Sequence, residues 1–312
     1  MRASIIYSAA DLEKNRFFWE TVQELWAQAG VDCQIETAEG RWAWLEAAGC
    51  GPAQAPLEGL PPELGLSLGL PLDLLGPQPL RAQLDFVLNR SRDAALAARY
   101  EQAGIPVFNN SLVAELGNDK WAWYRYAQAL ELPVLETELL SVEPPQLPYP
   151  LVAKSRRGHG GQELRWLEDE AGRQDLLAEL RLGGGSASDW IVQRPAARLG
   201  RDWRVYILGG RPYAAVLREA PSGDWRANYS LGARVSWAEF TAELASPVER
   251  LCQALSIDYG ALDFLDDGPG GPVVHELEDC CGARLLYQLD PSTKIISDYA
   301  RLILGRFGLT VP

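Results

Sequence analysis

The opening of the chain changes its apolar period twice, and that change limits what it can fold into. Residues 2–7 form a short run rich in strand-forming side chains. From Asp11 to Ala29, Phe18, Val22, Leu25, Trp26 and Ala29 then recur at helical spacing on one face, and Gly30 ends the pattern. Val31 to Thr37 reads as a second strand. A strand, a helix and a strand in this order predict a parallel α/β lobe.

Further along, 84–88 reads as a strand, Ser91 as the cap of a helix running to about Gln102, and 104–108 as another strand. Asn118 is placed to cap a helix that Pro133 prevents from continuing past Leu130. The run Pro144-Pro145-Gln146-Leu147-Pro148-Tyr149-Pro150 reads as a connector, after which strands dominate at 151–154, 190–193, 203–208, 213–219, 258–265 and 272–278. Residues 51–80 hold seven prolines and ten leucines, which forbids a long regular helix yet argues against a solvated linker. An irregular segment anchored by leucine is expected there. At 312 residues the chain should divide into two domains or three compact lobes.

Net charge is −13 and the sequence pI about 4.7, so nucleic acid and anionic membranes are repelled over most of the surface. No apolar stretch is long enough to span a bilayer, and the N-terminal apolar run is too short for a signal peptide, so a cytoplasmic protein is expected. The five cysteines include no Cys-x-x-Cys pair and only two histidines accompany them, which makes a zinc cluster a poor reading and reduced thiols the better one. Adjacent Cys280 and Cys281 have no base placed to form a thiolate and read as small residues in a tight turn.

Three constellations carry chemistry. Lys154 closes the apolar run Leu151-Val152-Ala153 and leads into Ser155-Arg156-Arg157-Gly158-His159-Gly160-Gly161. Glycines let backbone N–H groups approach phosphate oxygens closely, and the flanking cations supply charge. No Gly-Lys-Ser/Thr follows, so an ordinary hairpin loop and a phosphate loop both stay open on this text alone. Near the C-terminus, Asp263 lies in Gly260-Ala261-Leu262-Asp263-Phe264-Leu265, and Glu276 and Glu278 lie in Val273-Val274-His275-Glu276-Leu277-Glu278. A period of two puts both glutamates on one face with Val274, leaves Leu277 on the other, and turns His275 away from the acids. Side-by-side carboxylates repel unless a cation joins them, and oxygen ligands select a hard ion such as magnesium; the alternative is a solvated acidic face. Between these lie Arg204, Arg218 and Arg226 with Asn228, whose guanidinium forks suit carboxylates and phosphates.

Taken in order, these pieces resemble the ATP-grasp superfamily, in particular its RimK-like and glutathione-synthetase-like carboxylate–amine ligases, over about residues 84–305. Asn118-Asp119-Lys120 is similar to that family's Asn-Asp-Lys, whose lysine reaches the nucleotide phosphates. Lys154 with Gly158, His159, Gly160 and Gly161 resembles the second nucleotide lysine and the flexible loop over the phosphates. Val192-Gln193-Arg194-Pro195-Ala196 is similar to the strand that receives the adenine. Asp202-Trp203-Arg204-Val205, Arg218 and Trp225-Arg226-Ala227-Asn228 resemble the family's arginine elements. Asp263, Glu276 and Glu278 stand where two magnesium ions are held, with manganese as the substitute. The departures are Glu278 in place of an asparagine, Arg194 where a glutamate is common, Glu163 where a glycine is expected and Leu231 in place of an arginine.

The resemblance implies an α/β pre-ATP-grasp domain at 1–115, a small α+β lobe with the Gly-rich loop at 116–190, and a lobe with the metal and substrate site at 191–312. It implies that ATP phosphorylates a carboxylate and that an amine displaces phosphate to give an amide, with an amino acid or peptide as substrate. Lys120, Lys154, Gln193, Arg194, Ala196 and Asp202 would contact the nucleotide. Arg204 and Arg218 would hold the acyl phosphate, and Arg226 with Asn228 would orient the substrate carboxylate or the second ion. A kinase that stops at a phosphorylated hydroxyl, and a binder of ATP without turnover, are the alternatives. Related ligases commonly self-associate, and the sequence leaves the oligomeric state open.

Overall fold

The computed structural model describes residues 1–47, 83–158, 163–221 and 232–311. The segment 51–80 and, among the candidate site residues, His159, Gly160, Gly161, Arg226 and Asn228 lie outside the described residues.

The N-terminal period change becomes strand β1 (Arg2–Tyr7), short helix α1 (Ala9–Leu12), helix α2 (Arg16–Gln28) and strand β2 (Asp32–Thr37). Phe18, Val22 and Trp26 bury the expected face of α2, and Gly30 adopts φ +74°, a turn that side chains with a Cβ resist. Helix α3 (Ala38–Ala47), strand β3 (Phe86–Arg90), helix α4 (Ala94–Gln102) and strand β4 (Val107–Phe108) complete a four-stranded sheet in the order β2-β1-β3-β4. Its pairings are all parallel. Helix α4 is capped by Asp93, whose Oδ1 accepts from the Leu96 N–H at 2.9 Å, rather than by Ser91, whose hydroxyl turns to Asn89 Oδ1.

Helices α5 (Ser111–Asn118) and α6 (Lys120–Ala129) follow, separated by Asp119 alone. Here the cap shifts by one residue, from Asn118 to Asp119. Asp119 accepts from the N–H groups of Trp121 and Ala122, while Asn118 ends α5 and donates to the Ala114 carbonyl.

Strands β5 (Thr137–Leu139), β6 (Leu151–Ser155), β7 (Leu164–Leu167) and β8 (Trp190–Gln193) form an antiparallel sheet in the order β5-β8-β6-β7. Leu151, Ala153 and Val192 pack against Leu176 and Leu177 of helix α7 (Glu170–Leu182). The alternate residues Val152, Lys154 and Gln193 line a cavity on the other face.

The third sheet is antiparallel, in the order β11-β10-β9-β12-β13, built from β9 (Arg198–Leu208), β10 (Arg211–Glu219), β11 (Arg234–Trp237), β12 (Tyr259–Asp266) and β13 (Pro272–Glu278). Val205, Ile207, Leu262 and Phe264 bury one face with α6 and helix α8 (Ala242–Ala254). Tyr206, Val216, Tyr259 and Ala261 on the other face meet α2 and helix α10 (Ile295–Arg306), which follows α9 (Arg284–Leu289). The N-terminal lobe and this sheet thus share one core. None of the described helices is long and apolar enough to cross a membrane.

Two contacts fix the turn after β13. Buried Asn109 donates to the carbonyls of Tyr259 and Asp279 and accepts from the N–H groups of Asp258 and Tyr259. Gly117 of α5 lies so near the turn that a Cβ there would stand 2.8 Å from Asp279 Cβ. The α/β class read from the sequence is the one observed.

Candidate active site

The polar residues of the third sheet lie on adjacent strands at matched register. Asp202 pairs with Arg218, Arg204 with Asp263, and Asp263 with Glu276. Arg204 donates to Asp263 through Nε and Nη2, both at 2.7 Å, and Nη2 also reaches Glu278 Oε1 at 3.1 Å. Arg218 donates to Asp202 through Nε and to Asp263 Oδ2 through Nη2 at 2.8 Å. Burial opposes the charge on Asp263, but Arg204 and Arg218 outweigh it and hold the carboxyl well below the usual range. Asp202 has Arg218 as its hydrogen-bonded partner and burial dominates, pushing it up to about 6.

A break in register places the next residues. Asp263 faces Glu276 and Phe264 faces Val274, so His275 is the extra residue of a β-bulge. The bulge overturns the simple alternation expected for β13. Val274 joins Leu277 in the core, and His275 turns toward the acids, with Nε2 3.7 Å from Glu276 Oε1 and 2.6 Å from Lys154 Nζ. Lys154 also donates to Gln193 Oε1 at 2.6 Å, and Gln193 donates in turn to Thr137 Oγ1. Burial brings Lys154 down to about 8 and, with Lys154 alongside, brings His275 down to about 4. Burial works against the Glu276 charge, yet Lys120, His275 and Lys154 together hold it near 2. Lys120 Nζ lies 3.8 Å from Glu276 and donates to the Gly158 carbonyl at 2.5 Å.

The start of the Gly-rich loop is tied to the helix that carries Lys120. Arg156 and Arg157 both pair with Asp119, and Arg157 also reaches Glu115. These two arginines are therefore committed to protein carboxylates. Arg194 is likewise engaged, gripping Asp267 through both Nη atoms, and Asp267 accepts from the Ala197 N–H.

These side chains border a cavity of about 440 Å³ between the second and third sheets, whose described lining holds eight basic and five acidic residues. That excess of positive charge, in a chain of net −13, suits a polyanion. A second cavity of about 430 Å³ opens toward the N-terminal lobe, lined by Asp11, Lys14, Phe17, Arg92 and Tyr287 among others. Lys120, Arg204, Glu276, Glu278 and Arg284 border both and form the throat between them.

The structure brings Lys120, Lys154, Gln193, Arg194, Ala196, Asp202, Arg204, Arg218, Asp263, Glu276 and Glu278 to one cavity. It does not gather the three carboxylates into a cradle: no group of three or more potential metal ligands converges among the described residues. Arg204 stands between Asp263 and Glu278 instead, and both oxygens of Asp263 are taken by guanidinium groups. Their all-oxygen chemistry suits a hard divalent ion, with Glu276 and Glu278 the less encumbered pair. Cys281 is buried, and burial pushes its thiol up to about 12, so neither it nor Cys280, shifted further the same way, offers a thiolate.

Sequence reasoning missed Asn109, Arg284 and Arg90, whose Nη2 donates to the Cys281 carbonyl beneath the second cavity. Asn109 and Arg90 lie far in sequence from the turn they hold, whereas Arg284 follows the β13 motif by six residues.

This arrangement of three sheets with a cleft between the second and third is the ATP-grasp fold. A RimK-domain ATP-grasp protein of Sphaerobacter thermophilus superposes with a TM-score of 0.65 at 18% identity, over 98% of this chain and 100% of that one. D-alanine–D-alanine ligase from Bacillus anthracis gives 0.65 at 17%, over 98% and 96%. In sequence the chain is 28% identical over 226 residues to an uncharacterised protein of Mycoplasma genitalium, covering 72% of this chain and 76% of that protein. It is 28% identical over 190 residues to the glutamate–LysW ligase ArgX of Sulfurisphaera tokodaii, covering 59% and 67%. No family model matches. The chain has the ATP-grasp fold, and its sequence is similar to those of named carbon–nitrogen ligases.

Proposed function

We propose that this protein is an ATP-dependent ligase that joins a carboxylate to an amine through an acyl phosphate. The observation that carries the reading is Lys154. Its buried amine is hydrogen-bonded to two neutral acceptors, Gln193 and His275, and to no carboxylate. A buried ammonium held this way has Glu276 near it but no hydrogen-bonded anion, and a phosphate oxygen completes it. Lys120, at the N-terminus of α6 and beside Glu276, would meet the same phosphates from the other side.

A substrate carboxylate oxygen attacks the γ-phosphorus and ADP leaves with the bridging electron pair. The amine nitrogen then attacks the acyl carbon, and phosphate departs as the amine loses its proton. Lys120 and Lys154 neutralise charge on the nucleotide, while Arg204 and Arg218 hold the transferred group. Glu276, Glu278 and Asp263 are the residues that would hold magnesium, with manganese as its substitute. Once bound, that ion would neutralise further phosphate charge. Gln193, Arg194 and Ala196 would border the adenine, and Asp202 fixes Arg218. His159, Gly160 and Gly161 would close over the phosphates, and Arg226 with Asn228 would orient the carboxylate substrate.

The second cavity is the place for the substrates. Its described lining holds five basic and three acidic residues, which favours a substrate with a carboxylate beyond the reacting one. An amino acid or peptide with an acidic side chain fits, and glutamate is the first to test, since relatives carry the names glutamate–LysW ligase and probable alpha-L-glutamate ligase. The cytoplasm, which supplies ATP, is the expected setting.

ADP release in pools of amino acids and short peptides tests the proposal. Release that requires both a carboxylate and an amine, and that is lost in Lys154→Met and Glu276→Gln, supports it. ADP release that depends on a hydroxyl compound alone overturns it in favour of a kinase.

A further inference from the structure

The β-bulge in β13 delivers an imidazole across the cleft to a lysine of the opposite lobe. Lys154 stands on β6 and Gln193 on β8, both in the second sheet, whereas His275 belongs to the third. Without the bulge, alternation would turn His275 toward the core side occupied by Leu277. The bulge is held on both sides. The His275 carbonyl accepts from Trp123 Nε1 at 3.0 Å, and the Val274 N–H donates to the Pro133 carbonyl at 2.7 Å.

An amine nitrogen at 2.6 Å from a ring nitrogen requires that one of the two accept. With Lys154 donating, His275 Nε2 is the unprotonated nitrogen of a neutral ring. Two of the three N–H bonds of an ammonium are then assigned, one to Gln193 and one to His275, and the third is left for a ligand. Gln193 is itself fixed by donation to Thr137, whose hydroxyl donates to the Leu135 carbonyl. The lysine is therefore clamped from both lobes.

We infer that His275 is a positioning residue, which holds the Lys154 ammonium so that its free N–H points to the nucleotide phosphates and which ties the two sheets across the cleft. This rests on the nucleotide reading of the first cavity, and His275 acts through Lys154 without touching the reacting atoms.

The test compares His275→Leu, which removes the acceptor, with His275→Gln, whose side-chain oxygen replaces Nε2. Each is also combined with Lys154→Met. In calorimetry with ATP and magnesium, His275→Leu is expected to weaken binding about tenfold, the effect of losing one hydrogen bond to a charged group. His275→Gln is expected to restore most of that loss. In the Lys154→Met background the leucine substitution is expected to change ATP affinity no further, which a general structural defect would not reproduce. Equal losses with and without Lys154, or a glutamine variant as weak as the leucine variant, would overturn the inference.

A second readout does not depend on ATP. The rate at which an amine-reactive reagent labels Lys154, followed by mass spectrometry, is expected to rise in His275→Leu and to stay low in His275→Gln. An unchanged rate in His275→Leu would overturn the inference even if ATP proved not to be the ligand. Failure of ATP to bind the wild-type protein, with the labelling result as expected, would remove the nucleotide reading and leave the clamp standing.

Discussion

Arg204 and Asp263 face each other on adjacent strands and are joined by two hydrogen bonds of 2.7 Å, a fork that engages both carboxylate oxygens. Lysine carries the same charge but cannot reproduce this geometry. Arg204→Lys should therefore lower kcat by roughly a hundredfold, the scale set by loss of one donor to a developing charge. Arg204→Ala should in addition lower stability by about 3 kcal/mol, because Asp263 is left buried with one cation fewer. Steady-state kinetics and urea unfolding separate the two effects.

Lys154 provides a dependence on pH. Its amine titrates at about 8 in the folded protein, against 10.5 for a free lysine side chain. Bound phosphate favours the charged form, so the nucleotide complex holds its proton to a higher pH than the free protein. Affinity for ATP should then be steady below about 8 and fall as pH rises above it. Calorimetry across that range checks the sign, and Lys154→Met should abolish this part of the pH dependence.

Asn109 supports the site from a distance. It makes four hydrogen bonds to the backbone at the start of β12 and after β13. Asn109→Ala should cost about 2–4 kcal/mol of stability, at roughly 1 kcal/mol or less for each net bond. Thermal unfolding reads the loss.

Gly117 has no room for a side chain. A Cβ at this position would lie 2.8 Å from Asp279 Cβ and 3.0 Å from the Asp279 backbone nitrogen. Gly117→Ala should push the turn after β13 away from α5 and destabilise by about 1–3 kcal/mol. It should also raise KM for the substrate of the second cavity, which Gly117 and Cys280 both border.

Cys280 should be dispensable for chemistry. Its thiol donates to Asp279 Oδ2 and is shifted upward by burial, so Cys280→Ala should keep kcat within about twofold. Inactivation by a thiol reagent that spares the alanine variant would contradict this.

Much of the fold was legible because its signals are local. The helical period around Phe18, Val22 and Trp26 and the alternation through Leu151 to Lys154 each state an element within a few residues. The motifs that resemble ATP-grasp ligases supplied the residues that meet at one cavity. The errors came where an element departs from its ideal period or where the partner is remote in sequence. His275 was misplaced because one extra residue in β13 reverses the alternation that follows, and nothing in its own neighbourhood announces a bulge. Asn118 and Ser91 lost their capping roles to acids one and two positions on, since neighbouring polar residues compete for the same N–H groups. The pairing of Arg204 with Asp263 and Glu278 was not legible either, because strand register between remote segments sets it.

The most direct test of the account follows the oxygen that the mechanism moves. With an acid substrate labelled with heavy oxygen in its carboxyl group, together with ATP and an amine, one labelled oxygen should appear in the released phosphate for each amide formed. Mass spectrometry of the phosphate reads it. Amide or ADP formed with wholly unlabelled phosphate would contradict the acyl phosphate, and with it the central claim.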